Sequence, residues 1–444
     1  MSELIVSVSG IRGIIGSGLS PSVALAFAQA LGTYLKGRPV VLSRDSRPSG
    51  MMLRHAVIAG LTSCGCEIHD LGIVPTPTCG LAVRQLGAAG GIQITASHNP
   101  APWNGLKLFG PDGAVLSPEQ GKIVKQIFDT ASFALVGHEK IGFVRENHQA
   151  EDAHRERVLQ LVDVTRIRAR GFRVLLDANG GAGGPLGKAL MDSLQAEAVM
   201  HGGNPDGDFT HPPEPLEDNL TALLPLVSQY QVSAGFVLDP DSDRLAIIDE
   251  TGRYIGEELT FALAALCRLK QKAGPIVINM SSSRISEDIA KKFAVVCHRS
   301  AVGEANVVAK MREVDAVLGG EGNGGVIDPR VGWVRDPFIG MGMVLQLLAD
   351  TGKTLSQIIA ELPHYAIVKD KYEVSPDRLP GLFAKLEQSW PDAKVNRLDG
   401  LRLDWADRWV HVRSSNTEPI VRVIAEAPQS ADAKKLCAEV GAML

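Results

Sequence analysis

The chain lacks the features that would place it in several broad classes. Aromatic residues make up only 5% of its 444 positions, and 45 basic against 50 acidic side chains leave a net charge of −5. With the two signs interspersed, no broad electropositive field arises, which argues against a nucleic-acid or membrane partner and for a small ligand. Cysteine is scarce, with six residues at Cys64, Cys66, Cys79, Cys267, Cys297 and Cys437. Their only close pair is a Cys-Gly-Cys, and no second pair stands at zinc-site spacing, so reduced core thiols are expected. Long apolar runs are missing as well, and residues 1–6 have neither the basic nor the apolar part of a secretory leader. A cytoplasmic protein, monomeric or homodimeric, is the expectation.

What the chain does have is length and a regular alternation of apolar strands with helical patterns. At 444 residues it is too long for one core, and the alternation, for example a helix over 21–35 before a strand over 39–42, predicts α/β layers. Composition shifts place units at 1–150, 151–251, 252–363 and 364–444.

The strand expected at residues 91–94 runs into Thr95-Ala96-Ser97-His98-Asn99-Pro100. Asn-Pro enforces a turn, so Ser97 is displayed as a hydroxyl nucleophile at a strand end. On extended backbone, neighbouring side chains diverge, so His98 is not expected to serve simply as the base of Ser97. Two basic loops, Ser9-Gly10-Ile11-Arg12-Gly13 and Arg44-Asp45-Ser46-Arg47, lie in the same unit, as does Lys107 on a second short strand.

A glycine-rich turn at 179–185 invites a nucleotide reading but fits neither GxGxxG nor a P-loop, since Ala189 stands where magnesium needs Ser or Thr. More telling is Asp239-Pro240-Asp241-Ser242-Asp243-Arg244 between two apolar strands. Three carboxylates at alternate positions repel unless a cation compensates them, and an extended arc would aim all three the same way. An EF-hand is excluded because Arg244 occupies the position that needs glycine and the flanks are β-type. A hard cation such as Mg²⁺, meeting a phosphate oxygen, fits the loop.

Two further loops bind rather than react. In Gly319-Gly320-Glu321-Gly322-Asn323-Gly324-Gly325, a carboxylate and an amide on a glycine backbone can grip paired hydroxyls. In Arg413-Ser414-Ser415-Asn416-Thr417-Glu418-Pro419, a guanidinium fork and neutral donors, with Arg422 on the following strand, make a phosphate clamp.

Taken in order, these four loops resemble those of the α-D-phosphohexomutase family over essentially the full length. The resemblance implies three related mixed-sheet α/β domains and a smaller α+β C-terminal domain around a central cleft. It also implies reversible phosphoryl transfer between C1 and C6 of a hexose phosphate, through a phosphoserine at Ser97 and a hexose bisphosphate that also acts as activator. One Mg²⁺ per chain would be held by Ser97, Asp239, Asp241 and Asp243, with Arg12, Lys107 and Arg244 as further cations. Glu321 and Asn323 would contact sugar hydroxyls, and Arg413, Ser415, Asn416, Thr417 and Arg422 the phosphate not being transferred. His98 and Lys107 are the candidates for proton transfer, Lys107 favoured because an amine crowded by arginines loses its proton more readily. Two departures stand out: Asn323 replaces the family's usual serine, and Gly325 stands where many members carry a histidine. Glucosamine phosphate is the expected substrate, with glucose and mannose phosphates as alternatives. A sugar phosphatase and a silent sugar-phosphate sensor are the rivals from other classes.

Overall fold

The computed structural model describes residues 4–7, 10–374, 378–414 and 420–444. It divides into one unit of residues 1–272 with 323–358 and a second of 273–322 with 359–444.

The first unit holds two mixed sheets. The larger has seven strands in the order Leu4–Ser7, Gly10–Ile14, Trp103–Phe109, Gly90–Ile94, Val40–Arg44, Ile68–Ile73 and Val144–Glu146. Its last three pairings are parallel and the first three antiparallel. Because Val144–Glu146 joins this sheet, the chain just before residue 150 belongs to the first layer. Arg12, expected in a loop, lies within strand Gly10–Ile14. Helix Pro21–Tyr34 is capped by Ser20, whose side chain accepts from the Val23 amide at 3.3 Å. It packs on helix Ser49–Ser63, and Phe27, Leu31, Leu53, Val57 and Leu61 are buried in one apolar core with Val40, Leu42 and Ile92. The smaller sheet runs Leu245–Asp249, Ala234–Leu238, Arg173–Asp177, Glu197–His201.

Helix Pro337–Thr351 is apolar around most of its circumference and buried accordingly. Its cap Asp336 accepts from the Phe338 and Ile339 amides and, through Oδ2, meets His154 Nε2 at 2.9 Å. His154 Nδ1 in turn meets Thr78 Oγ1 at 2.9 Å, tying three helices of this unit together.

In the second unit, strands Cys297–Ser300, Ile276–Asn279 and Leu318–Glu321 pair in parallel. An antiparallel sheet follows in the order Ala366–Tyr372, Val421–Ala427, Trp409–Ser414, Leu401–Asp404, Lys394–Asn396, covered by helix Ser430–Met443. This is the α+β arrangement expected of the C-terminal part. Among the described residues no helix is long and apolar enough to cross a membrane.

Candidate active site

Ser97 follows strand Gly90–Ile94 and has a left-handed backbone, φ 50°. A non-glycine residue stays there only when its surroundings fix it. Thr95 Oγ1 accepts from the Ser97 amide at 2.8 Å and donates to Asp45 Oδ2 at 2.7 Å. The fully buried Arg47 donates through Nη2 to the carbonyls of Ser97 and Asn99, both at 2.6 Å. Arg12 Nη1 donates to Asn99 Oδ1 at 2.7 Å.

This backbone overturns the expectation that His98 points away from Ser97. That expectation assumed an extended chain, whereas the left-handed turn brings Ser97 Oγ to 3.2 Å from His98 Nδ1. Ser97 Oγ also donates to Asp239 Oδ2 at 3.0 Å, bringing the serine loop onto the acidic loop 142 residues away in sequence. Burial, followed by the charges of Arg244 and Arg12, holds the His98 imidazole well below its ordinary pKa.

The acidic loop is a tight turn and not an extended arc. Ser242 is left-handed, φ 52°, and its amide closes on the Asp239 carbonyl at 2.9 Å. Asp239 Oδ1 accepts from the amides of Asp243 and Arg244. The turn still makes the three carboxylates converge: one ligand oxygen from each of Asp239, Asp241 and Asp243 lies within 4.8 Å of the others. All three side chains are buried, and Oδ1 of Asp241 and of Asp243 has no hydrogen-bond partner. Such orphaned anionic oxygens suit a hard cation. Burial, then Asp241 and Asp243, pushes the Asp239 carboxyl well above its ordinary range. Burial also works against ionisation of Asp243, but Arg335, then Lys107 and Arg244, outweigh it and hold that carboxyl below the ordinary range.

Lys107 Nζ lies 2.7 Å from Asp243 Oδ2 and 3.3 Å from Asp241 Oδ2. Instead of the expected crowd of cations, it faces carboxylates. Arg335, unnoticed in the sequence, donates through Nη2 to Asp243 Oδ2 at 2.6 Å. No motif surrounds Arg335, so only the fold reveals it. Arg47 was visible as a basic loop residue, but its hold on the serine loop was not. Glu214, within the proline-rich stretch 212–215, lies 3.6 Å from Arg244 Nη1 and 4.0 Å from His98 Nε2.

The chain passes from the second unit back to the first at 322/323, within the glycine-rich loop. In the second unit, Glu321 ends strand Leu318–Glu321, and its Oε1 accepts from Asn279 Nδ2 at 2.9 Å and the Gly303 amide at 3.1 Å. Gly319 serves packing: a Cβ there would stand 2.2 Å from Met311 Sδ of helix Glu304–Glu313. Asn323 lies in the first unit with a buried Oδ1 that has no partner.

Arg413 lies inside strand Trp409–Ser414, directly opposite Arg422 on Val421–Ala427. Like charges at paired positions destabilise a sheet unless an anion joins them. Arg413 is nearly buried, which lowers its pKa against the pull of Asp399. Two residues earlier, the buried His411 meets Ser281 Oγ through Nδ1 at 3.0 Å and the Asp399 carbonyl through Nε2 at 2.5 Å. Ser415, Asn416 and Thr417 lie outside the described residues.

Family matches cover all four stretches. Families described as phosphoglucomutase/phosphomannomutase, alpha/beta/alpha domains I, II and III, match residues 4–135, 152–252 and 256–365, and the C-terminal domain matches 365–442. A phosphoglucomutase/phosphomannomutase of Thermococcus kodakarensis is 37% identical over 96% of this chain and 95% of its own. A probable phosphoglucosamine mutase of Methanopyrus kandleri is 34% identical over the same shares. Among solved structures, a phosphoglucomutase/phosphomannomutase family protein of Burkholderia thailandensis aligns with TM-score 0.88 and 26% identity, covering 99% of this chain and 96% of its own.

Proposed function

The chain belongs to the phosphoglucomutase/phosphomannomutase family and is a phosphohexomutase, and from that premise we propose that Ser97 carries the phosphoryl group. The observation that supports this most directly is the 3.0 Å contact of Ser97 Oγ with Asp239, one of three convergent buried carboxylates. Phosphorylated Ser97 gives its group to the free C1 or C6 hydroxyl of a hexose phosphate. The resulting bisphosphate turns end for end, and the other phosphate returns to Ser97.

Asp239, Asp241 and Asp243, with Ser97, would hold Mg²⁺, and their oxygen-only donor set and orphaned Oδ1 atoms fit that ion. When bound, it supplies positive charge opposite the transferring phosphoryl group. Arg12, Lys107 and Arg244 add fixed positive charge, His98 Nδ1 stands beside the serine hydroxyl, and Arg47 holds the loop that presents it. Glu321 and Asn323 grip sugar hydroxyls, and Arg413 and Arg422 hold the phosphate that stays on the sugar, with Ser415, Asn416 and Thr417. Glucosamine 6-phosphate to glucosamine 1-phosphate is the reading we favour; the names of the Methanopyrus and other curated relatives support it. The Thermococcus relative's name supports glucose and mannose phosphates.

A substrate panel run on bisphosphate-primed enzyme tests the assignment. The expected result is isomerisation of glucosamine phosphate with no stoichiometric release of inorganic phosphate, and none with Ser97→Ala, which keeps the binding groups but lacks the carrier. Phosphate release matching substrate loss would make the protein a phosphatase. Binding without turnover would make it a sensor.

A further inference from the structure

The loop at 202–215 ends on a carboxylate that nothing above assigns. His211 Nε2 pairs with the buried Asp177 at 2.7 Å, and the His211 amide and carbonyl bond Asn179 Oδ1 and Nδ2, each at 3.1 Å. Beyond Glu214, Asn219 Nδ2 donates to the Glu214 carbonyl at 2.8 Å and Tyr254 Oη to the Pro215 carbonyl at 3.0 Å. Pro213 and Pro215 are buried on either side. The backbone of Glu214 is thus fixed on both flanks, while its partly exposed side chain lies within 4.0 Å of two basic groups among the described residues, Arg244 and His98.

A rigidly mounted negative charge is costly beside a serine that is to carry a phosphate dianion. The imidazole of His98 links the two, with Nδ1 at 3.2 Å from Ser97 Oγ and Nε2 at 4.0 Å from Glu214 Oε1. The same carboxylate offsets part of the charge that Arg244 would otherwise give the phosphate. Both effects raise the energy of phosphorylated Ser97 relative to the free serine.

We propose that Glu214 sets the phosphoryl-transfer potential of Ser97, keeping the phosphoserine a ready donor to the sugar hydroxyl where the surrounding cations alone would make it too stable. The inference rests on Ser97 being the phosphate carrier. In the loading reaction, the bond from Ser97 Oγ to phosphorus forms as a sugar oxygen–phosphorus bond of the hexose bisphosphate breaks. The serine proton ends on that sugar oxygen, leaving a hexose monophosphate. Glu214 acts on the position of this equilibrium and is a positioning residue, not a group that touches substrate.

The test equilibrates full-length enzyme with set ratios of glucosamine 1,6-bisphosphate and glucosamine 6-phosphate and reads the phosphorylated fraction by intact-protein mass spectrometry. Removing one charge near a dianion predicts that Glu214→Gln moves the constant toward phosphoenzyme by about five- to thirtyfold. Glu214→Asp should restore the constant to within about twofold of wild type, and Glu217→Gln, an exposed charge on the same stretch, should leave it there. A merely structural role would lower phosphorylation in the Gln variant. That result, or an unmoved constant, overturns the proposal. Wild type that takes up no phosphate at all would remove the carrier reading itself, and the proposal with it.

Discussion

A Cβ on Gly325 would stand 2.2 Å from Cδ of Arg335, so the arginine stem fills the space that a side chain at this position would need. The guanidinium carried by that stem reaches Asp243, one of the three carboxylates. Many family members carry a histidine at this position, and here an arginine from ten residues further on takes the room. Gly325→His is therefore expected to cost about 1–3 kcal/mol through overpacking. Arg335→Ala should cost more, because a buried carboxylate loses its closest cation. In the double variant the histidine has room, so its effect on urea midpoint should shrink to less than half of that in the wild-type background. Additive losses would show that the two sites do not share the space.

Arg47 predicts a separation of folding from chemistry. Its Nη2 satisfies the carbonyls of Ser97 and Asn99, and its stacking over Phe209, 5.0 Å from the ring centroid, holds it from the far side. Arg47→Met leaves two carbonyls without their donor and the buried Asp45 without its countercharge, so a loss of about 3–5 kcal/mol is expected. Where the variant is still folded, phosphate loading of Ser97 should slow by at least about tenfold, because φ 50° at Ser97 no longer has its support. Normal loading kinetics in a destabilised variant would limit Arg47 to a structural role.

The acidic loop predicts a metal dependence that can be titrated. Asp241 Oδ2 already accepts from Thr76 Oγ1 at 2.6 Å, leaving Oδ1 as the oxygen with no partner. Asp241→Asn removes one of three charges and should cut turnover by about a hundredfold or more, with partial recovery as Mg²⁺ is raised. Chelator-treated wild type retaining full activity would remove the metal from the reaction.

Which parts of this site were legible in the sequence follows from how locally each is encoded. Ser97, the three aspartates and Arg413 stand in short motifs next to apolar strands, so spacing and residue type were enough to single them out. The contacts that complete the site come from far along the chain: Arg335 lies 92 residues from Asp243, and Glu214 reaches His98 across more than a hundred. Nothing local marks them. Side-chain directions failed for a different reason. An extended reading fails for both the serine and the acidic loops because in each a non-glycine residue, Ser97 or Ser242, takes a left-handed conformation, held by short-range bonds to Thr95 and Asp239 and, at Ser97, by Arg47 as well. In the glycine-rich loop, the sequence does not show that Gly319 also packs against helix Glu304–Glu313.

His411 gives the second unit an acid limit. Burial pushes its pKa down to about 4, against the Asp399 carbonyl that favours the charged form. A histidine whose folded pKa lies below its unfolded value of about 6.5 adds no penalty above that value and destabilises the fold as pH falls toward 4. The full effect, on the order of 3 kcal/mol, should appear as a steep fall in the melting temperature between about pH 6.5 and 4. His411→Gln, which keeps polar atoms for Ser281, should be less stable at pH 7.5 but lose less on acidification. Parallel pH profiles for the two proteins would place the acid sensitivity elsewhere.

The cross-strand pair Arg413 and Arg422 yields the most discriminating kinetic prediction. If Arg413 holds the phosphate that is not being transferred, it acts in both half reactions on a group remote from the chemistry, so its binding energy should support kcat as well as KM. Arg413→Lys keeps the charge but loses the two-pronged geometry, and a loss of about 2–4 kcal/mol in kcat/KM is expected. Ser97 should still load to near the wild-type level from excess bisphosphate, because that step does not require recapture of a departing intermediate. During turnover, however, the bisphosphate must be regripped at its other end before it diffuses away, so free bisphosphate should accumulate above the wild-type level. Measured together, a normal kcat/KM and an unchanged bisphosphate concentration would reduce this strand to a structural hairpin. A fall in kcat/KM without bisphosphate escape would place Arg413 at the sugar and not at the phosphate.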